Sequence, residues 1–215
     1  MSWATLISGH PEDRTVSASI AAIGGSALGK TCLLEQFTHG STPSRYTATG
    51  RRRSLRCTVV LSDRIYEIEC VDLPPVTAFP KDSYEEWESC AGFGLRTVTA
   101  FLLLFDLSNP TTFQNTAAVF EQLKHFRPMA PILVVGTKAD LCPQSDSAKA
   151  IATLVRKHWK CPYVECSAKY NWRVTQVFQE VMALIEHSAN FDSKRGVVFE
   201  ARSRMATPRK RCCIM

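Results

Sequence analysis

Eight consecutive residues, Gly24-Gly25-Ser26-Ala27-Leu28-Gly29-Lys30-Thr31, fit the pattern G-x-x-x-x-G-K-[ST] without a mismatch. The chemistry this pattern serves is the holding of phosphate. Backbone N–H groups from Ala27 to Cys32 can wrap phosphate oxygens at the start of the following helix, where the helix dipole also favours negative charge. The expected phosphate-binding residues are therefore Gly24, Ala27, Leu28, Gly29, Lys30, Thr31 and Cys32. Lys30 would reach the β- and γ-phosphates, and the Thr31 hydroxyl would coordinate the Mg2+ that neutralises them. A chance glycine-rich turn is the alternative, and a strand before the motif with a helix after it weighs against that. The motif alone does not choose between ATP and GTP.

A second chemical signal closes the sequence, Cys212-Cys213-Ile214-Met215. It has the form of a prenylation box in which Cys212 accepts the lipid, and a terminal Met favours farnesyl. One chain of that kind gives only marginal membrane binding, so a second attraction is needed. Arg202, Arg204, Arg209, Lys210 and Arg211 can supply it. Near an anionic leaflet each is worth up to about 1 kcal/mol. The expected partner is the anionic inner leaflet, and the expected place the cytoplasmic face of the plasma membrane. A nuclear or nucleolar address is the alternative reading of the same basic run.

These residues must be positioned by regular elements. Apolar runs alternate with helical periodicity throughout: a strand over Ser19–Ile23, a helix over Thr31–Phe37, and a hairpin of Leu55–Leu61 with Ile65–Val71 about Ser62-Asp63. A strand over Phe101–Phe105 follows, then a helix over Pro110–Phe126, a strand over Ile132–Val135 and a helix near Ala148–His158. A short strand at Tyr163–Glu165 leads to an amphipathic helix over Val174–Ile185. The alternation predicts an α/β sheet. At 215 residues and 45% hydrophobic, the chain suits one well-buried core.

Charge and cysteine usage narrow the class further. The net charge is +6, and the last 25 residues hold seven basic against two acidic ones, so the tail carries nearly all of it. Such a concentration beside a lipidation box favours a membrane over nucleic acid, which is expected not to bind. Nine cysteines without C-x-x-C pairs support neither a disulfide framework nor a zinc site. No secretory signal or membrane-spanning run is found, so the expected compartment is cytosolic.

Gly136-Thr137-Lys138-Ala139-Asp140 follows one buried strand, and Glu165-Cys166-Ser167-Ala168-Lys169 follows the next. Both resemble the base-reading elements of the Ras superfamily, [NT]-K-x-D and S-A-K. A carboxylate can accept from the ring N–H and the exocyclic amino group of guanine, a donor pair that adenine lacks. The resemblance thus implies a guanine site of Thr137, Lys138, Asp140, Ser167, Ala168 and Lys169, with GTP or GDP and Mg2+ as ligands. It covers about Ser19 to Ser188. Asp72-Leu73-Pro74-Pro75-Val76, Ala78-Phe79-Pro80 and Glu165 to Trp172 are similar to the divergent Ras-like family ten. The implied fold is a Ras-type P-loop NTPase, a six-stranded and mostly parallel sheet with helices on both faces. The implied organisation is a flexible extension over 1–16, a Ras-like domain over 17–190 and a basic tail over 191–215.

The departures from that family matter as much. Thr49 is the best-spaced candidate for the threonine that senses the γ-phosphate through magnesium, with Thr47 as the fallback, and Asp72 matches the aspartate that orients magnesium through water. Thr42 stands where an aromatic residue usually meets the base, and Ser26 where Ras has a glycine. Pro75 replaces a glycine whose N–H binds the γ-phosphate, and proline has none to give. Val76 replaces the glutamine that orients the attacking water and cannot hydrogen-bond through its side chain. The expected protein is a monomeric, membrane-tethered switch that hydrolyses GTP slowly if at all. A pseudo-GTPase interaction module is the alternative. Arg45, Arg51, Arg52, Arg53 and Arg56 lie where Ras proteins carry acidic residues, so basic Ras-binding domains should be repelled. The effectors themselves are unknown.

Overall fold

The structure, a computed structural model, describes residues 16–61, 64–77, 94–142 and 146–194, with side chains to residue 188. Strands β1 (Val16–Ile23), β2 (Arg53–Leu61), β3 (Arg64–Asp72), β4 (Ala100–Asp106), β5 (Ile132–Thr137) and β6 (Tyr163–Glu165) form one sheet in the order β2-β3-β1-β4-β5-β6. Among the described residues of this sheet, only β2 and β3 pair antiparallel; the other neighbours are parallel. Parallel strands need crossovers, and helices α1 (Lys30–His39), α2 (Thr111–Phe126), α3 (Asp146–Leu154) and α4 (Val174–Lys194) accompany them. The expected six-stranded, mostly parallel α/β sheet is what forms.

Alternation within β4 explains the two-sided burial. All seven of its residues are buried. Phe101, Leu103 and Phe105 face the core that takes Val119, Phe120 and Leu123 of α2. Ala100, Leu102 and Leu104 face the opposite core, with Leu33 and Leu34 of α1 and Val177, Phe178 and Val181 of α4. Side chains of a strand point alternately to the two faces, so a strand covered on both sides must be apolar throughout. Phe178 is fully buried and stacks on Phe37 at 3.5 Å between ring centroids. Burial of such a ring stabilises by about 1.5–3 kcal/mol.

Most boundaries move outward by one to three residues. Backbone pairing carries strands past the apolar residues that signal them. The larger correction is at α4, which runs to Lys194 rather than stopping near Ile185. It therefore crosses the expected domain limit at residue 190. Asn190 to Lys194 offer one apolar residue in five, so periodicity is silent there, whereas an existing helix adds residues readily. The helix over Ala148–His158 divides into α3 and a wider turn at Val155–Trp159. Ser62-Asp63, Ala78-Phe79-Pro80, the basic tail and Cys212 lie outside the described residues. Among the described residues, no helix is long and apolar enough to cross a membrane.

Candidate functional site

The phosphate loop leaves the C-terminal end of β1 in the middle of the sheet and enters α1 at Gly29, whose φ of 83° lies in the left-handed region that glycine tolerates. Gly24 is needed for a different reason. A Cβ there would come within 2.8 Å of the Leu104 carbonyl oxygen, so a side chain would push the loop off β4. Lys30 is buried, and its ammonium donates to the carbonyls of Gly24 at 2.9 Å and Gly25 at 2.6 Å. Burial lowers its pKa to about 8, against the pull of Asp72, which favours the charged form. The residues from Ser26 to Cys32 line a cleft of about 570 Å³, closed on another side by Pro43 and Arg45 to Arg51 and completed by Glu35, Arg53, Pro75 and Lys138.

Three oxygen-bearing side chains from three elements converge here, Thr31 and Thr49 lining the cleft and Asp72 buried behind them. Thr31 Oγ1 donates to Asp72 Oδ2 at 2.8 Å, and Thr49 Oγ1 lies 3.1 Å from Thr31 Oγ1 and 3.4 Å from Asp72 Oδ2. Thr47 lines the cleft without joining the group. Asp72 is fully buried, and its second oxygen, Oδ1, has no hydrogen-bond partner. A buried carboxylate oxygen without a partner is costly unless a cation or water meets it. Burial raises the Asp72 pKa, opposed by the Thr31 hydrogen bond and by the charges of Arg53 and Lys30. Two hydroxyls and one carboxylate make a hard, all-oxygen donor set, and Mg2+ is commonly held by one or two carboxylates together with phosphates. The residues fit that ion.

The base-reading elements sit at the ends of β5 and β6. Thr137 Oγ1 lies 2.8 Å from the Leu28 carbonyl and 2.9 Å from the Phe105 carbonyl, tying β5 to the phosphate loop. Lys138 takes a left-handed φ of 57° and donates to Asp106 Oδ2 at 2.8 Å. Ser167 Oγ donates to Asp140 Oδ1 at 2.6 Å, and the Ala139 N–H donates to the Cys166 carbonyl at 3.1 Å. The two elements are thus fastened to each other. Ala168 is half-buried, and Lys169 is exposed with its ammonium 5.0 Å from the Tyr170 ring centre. Asp140 and Ser167 to Lys169 do not line the cleft themselves; Lys138 does, two residues before Asp140.

Sequence reasoning missed one contributor, Asp106, and the contacts made by two residues it named, Arg53 and Val76. Asp106 ends the buried strand β4 and anchors Lys138; burial would raise its pKa, but hydrogen bonds from Lys138 and Ser108 outweigh burial and hold it low. A lone carboxylate closing an apolar run was the available signal. Arg53 binds Glu35 and approaches Asp72, which a reading of Arg53 as one more basic surface residue did not foresee. Last, the Val76 N–H donates to the Gly24 carbonyl at 2.9 Å, and the Val76 side chain packs in the core with Leu73, Leu95 and Val98. Pro75 lines the cleft beside it.

Comparison with known proteins agrees with this geometry. The Ras family model matches residues 19–187. Ras-like protein family member 10B from Homo sapiens is 32% identical over 205 residues, covering 91% of this chain and 97% of that protein. Ras-like protein family member 10A from Homo sapiens is 36% identical, covering 77% of this chain and 85% of that protein. GTP-binding protein Di-Ras2 from Pongo abelii is 23% identical, covering 89% and 90%. From the strand before the phosphate loop to the last helix, this chain belongs to the Ras family, near the Ras-like family 10 members.

Proposed function

We propose that this chain is a membrane-tethered guanine-nucleotide switch that binds GTP and GDP with Mg2+ and hydrolyses GTP slowly. The observation that carries the binding half is the fastening of Asp140, which stands two residues after Lys138, to Ser167; Lys138 lines the same cleft as the phosphate loop. Asp140 accepts from the two guanine donors, and the stems of Lys138 and Lys169 flank the base. Lys30 and the loop amides take the phosphates. Thr31, Thr49 and Asp72 would hold Mg2+, which when bound neutralises charge on the phosphate oxygens.

The slow-hydrolysis half rests on the segment after Asp72. Pro75 has no N–H to offer a γ-phosphate, and the side chain at position 76 points into the core rather than toward the cleft. With its own N–H committed to Gly24, Val76 has neither a side-chain hydrogen bond nor a free amide donor with which to orient water. Single-turnover hydrolysis should therefore run at least about tenfold slower than in a Ras-family protein that carries the glutamine, measured alongside. An equal or faster rate contradicts this part. Val76→Gln should not rescue the reaction: the amide would be buried beside Leu73, cost about 1–3 kcal/mol in urea unfolding, and leave the rate within about twofold. The same tie between Val76 and Gly24 favours a second reading, an interaction module whose nucleotide is structural. Partner capture that is indifferent to GDP or a GTP analogue would select it.

Tethering rests on the tail. Cys212 carries the farnesyl group and the basic run meets the anionic inner leaflet. Cys212→Ser should move the protein from the membrane to the soluble fraction of cells. Unchanged membrane association places the anchor elsewhere, and nuclear accumulation of the wild type supports the alternative address.

A further inference from the structure

Arg53 is the first residue of β2, and the antiparallel register places it directly opposite Asp72, the last residue of β3. Its guanidinium is held from the other side by α1. Arg53 Nη2 meets Glu35 Oε1 at 2.6 Å, and Nε lies 3.9 Å from Asp72 Oδ2. Glu35 stands four residues after Thr31, so one face of α1 delivers both the hydroxyl and the carboxylate that position this corner. Arg53 is 46% exposed at its side chain, whereas Asp72 is wholly buried, so the cation closes the solvent side of the site.

An exposed pair with Glu35 alone would contribute little. The register changes the reading, because it places a permanent positive charge about 4 Å from the one carboxylate that would orient the divalent ion. Two cations on one carboxylate repel each other, and the fixed one cannot dissociate. Arg53 also lines the cleft, so it would remain there as positive charge beside bound phosphate when the metal is removed.

We propose that Arg53 is a built-in counter-cation of the magnesium–phosphate corner: it weakens Mg2+ binding and makes nucleotide retention less dependent on Mg2+. Arg53 is a positioning residue and touches no reacting atom. The inference rests on the guanine-nucleotide reading above.

The test uses the full chain loaded with a fluorescent GDP and chased with unlabelled GDP, in excess Mg2+ and in excess EDTA. The wild type should release nucleotide no more than about tenfold faster in EDTA, and Arg53→Gln about a hundredfold faster or more, with its Mg2+ midpoint shifted about tenfold lower. Arg53→Lys, which keeps the charge, should behave like the wild type. Equal EDTA acceleration in all three proteins overturns the role of Arg53 while leaving nucleotide binding intact. Failure of the wild type to retain any guanine nucleotide overturns the guanine reading and this inference with it.

Discussion

Asp140→Ala should lower affinity for GTP and GDP by about a hundredfold or more while leaving the affinity for inorganic triphosphate unchanged. Each hydrogen bond from guanine to a charged acceptor contributes about 1.5–3 kcal/mol, and Asp140 is expected to accept two. The Ser167 hydroxyl already satisfies Oδ1 at 2.6 Å and fixes the carboxylate, so little reorganisation accompanies binding. Ser167→Ala should therefore weaken guanine nucleotides too, by about tenfold, through loss of that orientation. Fluorescence titration with a labelled guanine nucleotide, competed by tripolyphosphate, separates the base from the phosphates. Equal guanine affinity in Asp140→Ala and wild type would remove the structural reason for naming guanine.

Lys30→Met should be comparably damaging at the phosphate end. The ammonium is buried and bridges the two carbonyls at the start of the loop, so its loss removes both a loop brace and the charge that meets the phosphates. Nucleotide affinity should fall by about a hundredfold or more, as expected for a buried charged contact. The variant has a second, less general consequence. Burial holds Lys30 at about 8, and a bound polyphosphate favours its charged form and raises that value. The bound state then takes up a proton wherever the pH exceeds about 8, so affinity must fall as pH rises above that point. Between pH 7 and pH 9 the wild type should lose about tenfold in affinity through this group, and Lys30→Met should not. Titration of the nucleotide itself is common to both proteins and cancels in the comparison. Parallel pH profiles would contradict the role given to Lys30.

The fold was legible where its physics is local. The phosphate loop needs a strand, a tight backbone turn and a helix start in that order, and all three leave marks in composition. Strand β4 is apolar on both faces because helices cover both faces, and Phe101 to Phe105 announce that directly. The last nine residues of α4 left no such mark, because a helix that continues past its apolar stripe has no periodicity to read. At the site, Thr49 could be proposed from spacing, but its place beside Thr31 and Asp72 depends on how residues 40 to 52 cross the cleft, which no local pattern encodes. In sequence, Val76 signals only the loss of a side-chain function. The structure adds a fixed position, because its N–H is spent on Gly24 and its side chain on the core. Arg53 was hidden for a related reason. Five arginines between positions 45 and 56 look alike in sequence, and only the strand register singles out the one that faces Asp72.

On the function proposed above, this cleft holds a guanine nucleotide and turns it over slowly. The most direct measurement is chromatographic identification of the nucleotide released on denaturing the purified full chain. A guanine nucleotide near one equivalent per chain, with GTP in excess of GDP, is the predicted result. An adenine nucleotide, or no nucleotide at all, would contradict it.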